Sequence, residues 1–439
     1  MRTSSIALTT VPLSLLDEHF LNLDQESEPW GVHLEVRVSG RVDAERLSAA
    51  IGAAVRRHPI ARAKLASPYP TDVTYRWEIV ESLGQIPLAV AASPDATSLA
   101  AARERLFAVS PSLDVAPPFA VVLAQRPGGD SILLNLHHAA GDGVSAVRLM
   151  RSILRAYAGE EDPIAGLDPL SVRDVLALAA ARSFEERAAR RRALLRAALR
   201  RLSPITRVAR DGGDRRPGYG FELLAFSGDE TAAVFAKHDE TATVNDVLLA
   251  ALAVAIRRWN ADHGRWSGHI ALTMPVNLRP LEWHDEVIGN FASYVSVSLG
   301  RRDHRDLRRA LDVTADRTHR IKRHRLAGLA VELLVGPSLL PVTAKRRLQD
   351  LIPLTGNRVV DTASLSNLEV LDGWPVLGAG AGTVEELWFS PPGRAPLGAA
   401  LGAATVGGRL HIAMRYPHCQ FDRAGARAFA ELYRDVLVT

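Results

Sequence analysis

The sequence predicts a mixed α/β (α+β) fold that is divided into two lobes of similar class. Strand-like and helix-like patterns alternate along the chain from residue 33, and one breaker-rich stretch interrupts them near the middle. With 439 residues, the chain is longer than one hydrophobic core usually supports, and its length favours two or three domains. We therefore expect two packed lobes that can close a cleft between them.

The first predicted lobe covers residues 1–175 and begins with a strand and a capped helix. Residues 33–39 alternate apolar and polar side chains, as a half-buried strand does, and Asp43 can cap the helix that follows. The remaining predicted elements of this lobe are strands near residues 73–80, 119–125 and 131–137 and a helix from Gly143 to about Tyr157. The first lobe is therefore expected to be of the α/β class.

A breaker-rich segment separates the two predicted lobes. Residues 176–216 are rich in Ala and Arg and predict a helical linker, which runs into Asp-Gly-Gly-Asp-Arg-Arg-Pro-Gly at 211–218. A second α/β series fills the second predicted lobe, residues 217–439. Its predicted elements are a helix from Thr243 to Trp259, strands at 268–275 and 292–299, a helix from about 304 to 325, strands near 383–389, 398–405 and 409–416, and a last helix capped by Asp422.

Composition indicates a globular protein of a reducing compartment. Hydrophobic residues make up 47% and charged residues 23%, which excludes a largely disordered or fibrous chain. Cys419 is the only cysteine, so neither an intramolecular disulfide nor a cysteine-built metal site can form. Polar and acidic residues interrupt the first 20 residues, which do not resemble an export signal. We expect a cytoplasmic protein.

Two further segments bear on partners. Leu326–Val342 is apolar, but it contains Glu332 and two prolines and is shorter than the ~20 residues of a spanning helix, so it predicts a buried or interfacial helix and turn. Arginines crowd between Arg182 and Arg216 and predict a basic surface, which suits an acidic protein, a nucleotide-bearing cosubstrate or a membrane. Aromatic residues are only 6%, which disfavours nucleic-acid binding because a stacking platform is lacking.

The residues most suited to chemistry follow a buried strand. This strand, 131–136, runs into His137 and His138, and a turn containing Asp142 and Gly143 precedes the next helix. Adjacent strand residues point to opposite faces, so the two histidines should have different roles. An imidazole can take a proton near neutral pH, a carboxylate can hold an arginine, and a backbone N–H at a helix start can donate to an oxyanion.

Each part of this pattern has an ordinary structural explanation. A histidine pair alone is more often structural than catalytic, and Asp-Gly alone is usually a turn with a helix cap. The combination between a buried strand and a helix favours function. Neither a Gly-x-Ser-x-Gly elbow nor a His-Glu-x-x-His pattern is present, so direct transfer without a metal is the simpler expectation. The glycines at 378, 380 and 382 lack the context of a dinucleotide loop.

The run His-His-Ala-Ala-Gly-Asp-Gly from His137 to Gly143 resembles the HHxxxDG signature of an acyltransferase superfamily. That superfamily contains peptide-synthetase condensation domains, polyketide-associated acyltransferases and the wax ester synthase/diacylglycerol acyltransferases. Other stretches resemble it in the same order along nearly the whole chain: Pro12-Leu-Ser-Leu-Leu-Asp17, Thr243-Val-Asn-Asp-Val247, Pro275-Val-Asn-Leu-Arg279, Gly289-Asn-Phe291 and Ser364-Leu-Ser-Asn367. The resemblance implies two chloramphenicol-acetyltransferase-like lobes in a V shape, with a tunnel at their interface and the motif at its middle.

The resemblance also implies roles for individual residues. His138 would be the general base and His137 its inward-facing support. Asp142 would be structural and paired with Arg279, and the backbone N–H near Gly143 would stabilise the oxyanion. The remaining implied site residues are Asn277 as a support and Ser364, Ser366 and Asn367 in substrate binding.

The implied activity is acyl transfer from a thioester to a small alcohol or amine, in natural-product or lipid biosynthesis. The thioester would be a cosubstrate on coenzyme A or on a phosphopantetheinyl carrier protein, and no cofactor or metal would be permanently bound. Synthetase-embedded condensation domains carry a late Asp-Phe-Gly-Trp-Gly element, where this chain has Leu387-Trp-Phe-Ser-Pro-Pro-Gly393, which favours a freestanding enzyme. Two alternatives stay open: a non-catalytic module that binds a carrier protein, and an epimerase of the same superfamily.

Overall fold

The computed structural model describes residues 9–163, 166–200, 204–212, 216–283, 286–351, 358–378 and 380–439. Within these ranges the strands are β1 (Thr9–Pro12), β2 (Gly31–Val38), β3 (Ala63–Leu65), β4 (Arg76–Ile79), β5 (Leu88–Ala92), β6 (Phe119–Gln125), β7 (Ser131–His137), β8 (Tyr219–Ala225), β9 (Ile270–Asn277), β10 (Ala292–Leu299), β11 (Ala363–Val370), β12 (Val384–Ser390), β13 (Ala400–Val406) and β14 (Arg409–Pro417). The helices are α1 (Leu15–Leu23), α2 (Ala44–Arg57), α3 (Ala96–Phe107), α4 (Gly143–Ala158), α5 (Val175–Ala179), α6 (Phe184–Arg200), α7 (Gly228–Phe235), α8 (Val244–Asp262), α9 (Leu307–Arg323), α10 (Gly328–Ser338), α11 (Val342–Arg347) and α12 (Arg423–Val438).

A five-stranded sheet with the order β12-β2-β7-β6-β5 organises the first half of the chain. β2 and β7 are antiparallel, with Leu34 opposite Leu134 and Gly31 opposite His137. Both leucines belong to a hydrophobic core that also includes Ile51 of α2 and Leu149 of α4. Every residue of β7 is buried. The strand that leads into the histidine pair is therefore enclosed on both faces, which holds its end in a fixed position.

A six-stranded sheet with the order β10-β9-β11-β13-β14-β8 organises the second half. Helix α8 packs in its core, and every residue from Val247 to Ile256 is buried. A helix that is apolar on all sides has to lie inside the protein, because each exposed face would cost apolar burial. The Thr243 hydroxyl accepts from the Asp246 N–H, and the Asp246 carboxylate accepts from the Thr243 N–H. This capping box begins the helix.

Strand β12 crosses between the two halves. The predicted boundary at residue 217 assigned the strand near 383–389 to the second lobe, and the structure corrects this assignment. β12 pairs with β2 of the first-half sheet, with Phe389 opposite Leu34. A Cβ on Gly402 of β13 would lie 1.9 Å from the Phe389 carbonyl oxygen, so a glycine is required where β13 passes β12. The sequence pattern identifies a strand but does not identify its partner, which explains the error.

The predicted α/β class is confirmed, and most of the predicted elements are present. The strands expected at 119–125 and 131–137 are β6 and β7, and the helix expected from Gly143 is α4. Asp43 and Asp422 are the N-caps of α2 and α12. The elements that were not predicted are the strands β1, β3, β5, β8 and β11 and the helices α1, α3, α7 and α11.

The apolar segment from Leu326 to Val342 forms α10 and the turn after it. Val331 is buried, whereas Leu333 and Leu339 are exposed, so the segment is only partly buried. In the described ranges, no helix is both long enough and apolar enough to span a bilayer. The predicted linker contains α6, and residues 201–203 and 213–215 of this linker lie outside the described part of the chain. Residues 1–8, the start of the segment that was considered as an export signal, also lie outside it.

Candidate active site

The two histidines lie where the first-half sheet meets residues of the second half. β7 ends at His137, and α4 begins at Gly143. The loop between them is almost completely buried, and the N–H of His138 donates to the carbonyl oxygen of Trp30 at 2.9 Å. The structure therefore presents the two imidazoles from a rigid strand exit.

The His137 ring has partners from the first half of the chain. Its Nδ1 accepts from the Ala139 N–H at 3.0 Å, and its Nε2 lies 3.6 Å from Oδ2 of Asp24. In the neutral ring the proton is therefore on Nε2 and faces a carboxylate. Burial raises the pKa of Asp24, but the interactions with His137, Ser110 and the Trp30 N–H outweigh burial and hold that pKa below its ordinary value. Both nitrogens of the His137 ring are thus directed at groups of the first half of the chain, and its supporting role stays a prediction.

The His138 ring is oriented by Asn290 of the second half. Asn290 Nδ2 donates to Asp17 Oδ1 at 3.1 Å and to the carbonyl oxygens of His138 and Ala139 at 2.7 and 3.0 Å. These acceptors identify the NH₂ end of the amide, so Oδ1 of Asn290 is the atom that lies 3.2 Å from His138 Nδ1. Nδ1 therefore carries the proton and Nε2 the lone pair, and no hydrogen bond within the described residues occupies Nε2.

Aromatic rings surround the His138 imidazole. Phe20 stacks on it with ring centroids 3.8 Å apart, and Trp30 lies 6.1 Å away. His138 is only 8% exposed. Burial lowers its pKa to about 4, against smaller opposing effects of Asp142 and Asn290. The imidazole is consequently neutral near pH 7 and available as a base.

Asp142 ties the loop to the second half of the chain. Its Oδ1 accepts from Ser145 N–H at 2.9 Å, and Arg279 Nη2 lies 3.2 and 3.3 Å from its two oxygens. The same nitrogen donates to Ser145 Oγ at 3.0 Å and to the Gly289 carbonyl oxygen at 3.1 Å. Burial raises the pKa of Asp142, but Arg279 and the hydrogen bonds from Phe291 and Ser145 outweigh burial and hold that pKa below its ordinary value. Asp142 is thus an ionised structural group whose every oxygen is occupied.

Asn277, which is predicted as a supporting residue, is in contact with the backbone of Arg279. Asn277 ends β9, is exposed, and accepts from the Arg279 N–H at 3.0 Å through Oδ1. This local turn directs the arginine toward the loop. The guanidinium carbon lies 4.6 Å from the Phe291 ring centroid. Asn277 therefore acts on Asp142 through Arg279.

The absence of a side chain at Gly143 serves packing. A Cβ there would lie 2.9 Å from Cζ of Phe389 and 3.0 Å from Cδ2 of Leu368. For this residue the sequence predicts a backbone N–H that donates to an oxyanion. Side chains of the second half fill that side of the residue. Its N–H remains at the first turn of α4, where helix geometry provides no intrahelical acceptor.

The three predicted substrate-binding residues lie on β11. Ser364 and Ser366 are each 8% exposed, and the Ser364 hydroxyl has no hydrogen-bond partner in the described part of the chain. Asn367 Oδ1 accepts from the Glu369 N–H at 2.9 Å. No hydrogen bond between described residues joins any of the three to His138. Their part in substrate binding stays a prediction, and the next residue of β11, Leu368, lies beside Gly143.

Several residues of the site were not predicted as such. Asp17 is buried and accepts from Trp77 Nε1 at 3.3 Å and from Arg173, as well as from Asn290. Ser145 connects Asp142, Arg279 and the Gly289 backbone. The family-like stretches Pro12–Asp17 and Gly289–Phe291 contain Asp17 and Asn290, but neither stretch indicates that the two side chains bond to each other. Such long-range contacts are set by the fold.

A third histidine, His19, lies close to His138. His19 Nε2 is 3.3 Å from the Tyr294 hydroxyl, and the two rings stack with centroids 5.8 Å apart. Burial and the nearby His138 lower the pKa of His19 to about 4. Tyr294 also lines a cavity of about 340 Å³ in the second half.

In the described part of the chain, no three His, Cys, Asp or Glu side chains are arranged to hold a metal ion.

Comparison with known proteins places this geometry in a family. The Condensation domain family model matches residues 12–345. An uncharacterized protein of Mycobacterium tuberculosis is 39% identical over 435 residues, which are 98% of this chain and 99% of that protein.

Solved structures agree with the fold. The first condensation domain of the CDA synthetase superposes with a TM-score of 0.72 at 15% identity. The superposition covers 98% of this chain and 96% of the chain of that domain. The epimerization domain from the third module of tyrocidine synthetase B superposes with a TM-score of 0.65 at 17% identity, and the superposition covers 99% of this chain and 96% of the chain of that domain. At these identities the likeness bears on the fold alone.

Proposed function

Because the chain belongs to the condensation-domain family, we propose that it is an acyltransferase that moves an acyl group from a thioester to an alcohol or an amine. The product is an ester or an amide. The donor is an acyl group on coenzyme A or on the phosphopantetheine of a carrier protein. The signature from His137 to Gly143 supports this proposal, and the late stretch Leu387–Gly393, which lacks Asp-Phe-Gly-Trp-Gly, supports a freestanding enzyme. The single cysteine, Cys419, suits a reducing compartment such as the cytoplasm.

One observation carries the proposal: the protein fixes the tautomer of a neutral imidazole. Asn290 accepts from Nδ1 of His138, which leaves the lone pair on Nε2. Burial lowers the pKa of the ring to about 4, so Nε2 is unprotonated at neutral pH. A general base needs this combination of an open lone pair and a defined direction.

The proposed reaction takes place in two steps. Nε2 of His138 removes the proton from the acceptor O–H or N–H as the acceptor attacks the thioester carbonyl carbon, whose C=O electrons move to oxygen. The resulting oxyanion lies near the backbone N–H groups at the start of α4, at Gly143. The C–O⁻ electrons then re-form the carbonyl, the C–S bond breaks, and the proton on Nε2 passes to the departing sulfur. An ester or amide and a free thiol result, and His138 is again neutral.

Supporting groups keep this geometry without touching the reacting atoms. Arg279 and Asp142 fix the loop, and Asp17 holds Asn290 through its Nδ2. The exposed arginines of α6, such as Arg191 and Arg192, offer a basic surface to an acidic carrier protein or to anionic lipid headgroups. Arg190 of the same helix is buried instead and binds Glu332 and the Ala179 carbonyl oxygen.

The test is thiol release from a panel of acyl-coenzyme A and acyl-carrier donors with alcohol and amine acceptors. We expect His138→Ala to lower turnover about 10²–10⁴-fold, the usual contribution of a general base. His319→Ala removes an exposed histidine of α9 and should leave turnover unchanged. Circular dichroism melting checks that both variants are folded. Nearly full activity of a folded His138→Ala protein would show that another group is the base.

Product analysis separates the proposal from its alternatives. Acyl transfer yields a new ester or amide. A carrier-binding module would bind the acyl-carrier donor without releasing thiol, and an epimerase would incorporate solvent deuterium at the α-carbon without forming a bond. Either of these two results would replace the acyltransferase proposal.

A further inference from the structure

The cavity beside Tyr294 has the properties of a substrate site. It lies between the strands β9 and β10 and the helices α6, α9 and α10, and its volume is about 340 Å³. Small-molecule sites typically have volumes of about 300–1,000 Å³. The proposed reaction needs two substrates, and the residues described so far around His138 do not show where either one binds.

A chain of contacts leads from this cavity to the base. Tyr294 lines the cavity, and its hydroxyl lies 3.3 Å from His19 Nε2. The His19 ring is 5.3 Å from the ring of Phe20, which stacks on His138 at 3.8 Å. Tyr294, His19 and Phe20 thus connect the wall of the cavity with the His138 ring, and the first two can hydrogen bond to an O–H or N–H group.

The charged groups of the cavity are mostly cationic. Its lining includes Arg196, Arg317, Arg320 and Arg358, and Asp361 is the only carboxylate among the lining residues that the structure describes. Asp361 already accepts from the hydroxyls of Thr273 and Ser296, at 2.8 and 3.1 Å. Arg317 and Arg320 also contact carboxylates beside the cavity, those of Asp303 and Asp316. Four arginines thus face three carboxylates, and the remaining positive charge favours a bound anion.

The cavity is also elongated and partly apolar. Leu326, Leu329 and Leu333, in and just before α10, form one wall. Along β10 the lining extends from Tyr294 to Ser298, which is about 13 Å at the rise of a strand. Arg317 lies 3.3 Å from Asp303, which follows the end of β10 remote from Tyr294. Hydrogen-bonding groups and a cation are therefore separated by the length of a short alkyl chain.

We infer that this cavity binds the acceptor substrate, and that the acceptor is an amphipathic anion whose nucleophilic end lies at Tyr294 and His19 and whose carboxylate or phosphate lies at the arginines. The inference rests on the proposed function, because the nucleophile has to come within hydrogen-bond reach of His138 Nε2. The donor sulfur also receives its proton from Nε2, so closeness to the base does not by itself distinguish the two substrates. The hydrogen-bonding groups at the Tyr294 end of the cavity match the O–H or N–H group of the acceptor. Arg317 and Arg320 are the specificity-determining cations.

A matched pair of probes tests the assignment. ω-Hydroxyoctanoate and octanol share a hydroxyl and an alkyl chain and differ in the carboxylate at the far end. By isothermal titration calorimetry, we expect ω-hydroxyoctanoate to bind about fivefold to tenfold more tightly, with the preference weakening as salt is added. The double variant Arg317→Gln/Arg320→Gln should abolish the preference. Arg308→Gln, an exposed arginine of α9 outside the cavity, should retain it.

Binding and turnover together separate this inference from the proposed function. With an acyl-coenzyme A donor, the double variant should raise KM for ω-hydroxyoctanoate and leave KM for octanol and for the donor unchanged. Equal binding of the two probes, or a preference that survives the double variant, overturns the inference. Displacement of ω-hydroxyoctanoate by coenzyme A that depends on Arg317 and Arg320 also overturns it, since the anion site would then belong to the donor. Selective binding without any transfer would contradict the acyltransferase proposal alone.

Discussion

His137 and His138 are neighbours in the chain, but their surroundings come from different parts of the molecule. The partners of His137, the Ala139 N–H and Asp24, both belong to the first half. The orienting partner of His138 is Asn290, which lies 152 residues away in the second half. One ring has both nitrogens directed at fixed groups, and the other keeps a lone pair. The strand exit thus separates a ring that is held at both nitrogens from the proposed base, and only the proposed base depends on how the two halves are joined.

The joint itself is made of polar contacts. Arg279 and Asp142 form a buried ion pair across it, and Asn290 adds hydrogen bonds to the backbone of the histidine loop. Buried pairs of this kind define geometry better than they add stability, because desolvation offsets much of the attraction. The contrast between the two histidines therefore predicts that damage at the joint affects His138 more than His137.

The largest expected effect on stability comes from cutting the ion pair. Arg279→Gln leaves the Asp142 carboxylate buried without its cation, and we expect the free energy of unfolding to fall by about 3–5 kcal/mol. Urea denaturation measures this change. Arg320→Gln removes the cation of the exposed Asp316 pair and should cost less than about 1 kcal/mol. Equal losses from the two variants would mean that the buried pair does not hold the joint.

Loss of Asn290 should affect the rate more than the fold. Asn290→Ala frees the His138 ring to rotate and to place its proton on either nitrogen, and it leaves buried carbonyl groups unsatisfied. We expect kcat to fall about tenfold to hundredfold, which corresponds to about 1.4–2.8 kcal/mol. Steady-state thiol release measures the rate. An unchanged kcat would show that the tautomer is fixed by something other than Asn290.

The matched change on the His137 side should have a smaller effect on the rate. Asp24→Asn keeps the size of the side chain but weakens the attraction to His137 Nε2–H. We expect the free energy of unfolding to fall by about 1 kcal/mol and kcat to change by less than about threefold. A loss of kcat as large as that of Asn290→Ala would remove the distinction between support and base.

The sequence predicted the parts of the site that are local. The buried strand β7, the helix start at Gly143 and the caps at Asp43 and Asp422 each follow from a few consecutive residues. The pairing of Asp142 with Arg279 could be expected only through the resemblance, since 137 residues separate the two. Asn290, Asp17 and the placement of β12 in the first-half sheet depend on tertiary contacts, which no local pattern encodes.

The smallest expected effect is a rate that hardly changes as the solution is acidified. With a pKa of about 4, His138 remains about 90% neutral at pH 5, whereas an imidazole of ordinary pKa would be about 3% neutral there. With an alcohol acceptor, whose protonation does not change in this range, kcat/KM per folded molecule should be nearly constant from pH 7 to pH 5 and fall near pH 4.

Stability should behave differently over the same range, so folding has to be monitored alongside the rate. The unfolded chain protonates His138 near pH 6.5 and the folded chain only near pH 4, so the unfolded state binds more protons between these values and the free energy of unfolding falls as the pH is lowered. His58 and His411, with pKa values lowered to about 3 and about 4 by burial, add to this loss. Circular dichroism identifies the pH at which folding is still complete. An acid limb of kcat/KM centred near pH 6.5 in fully folded protein would mean that the base is an exposed imidazole and that His138 is not it.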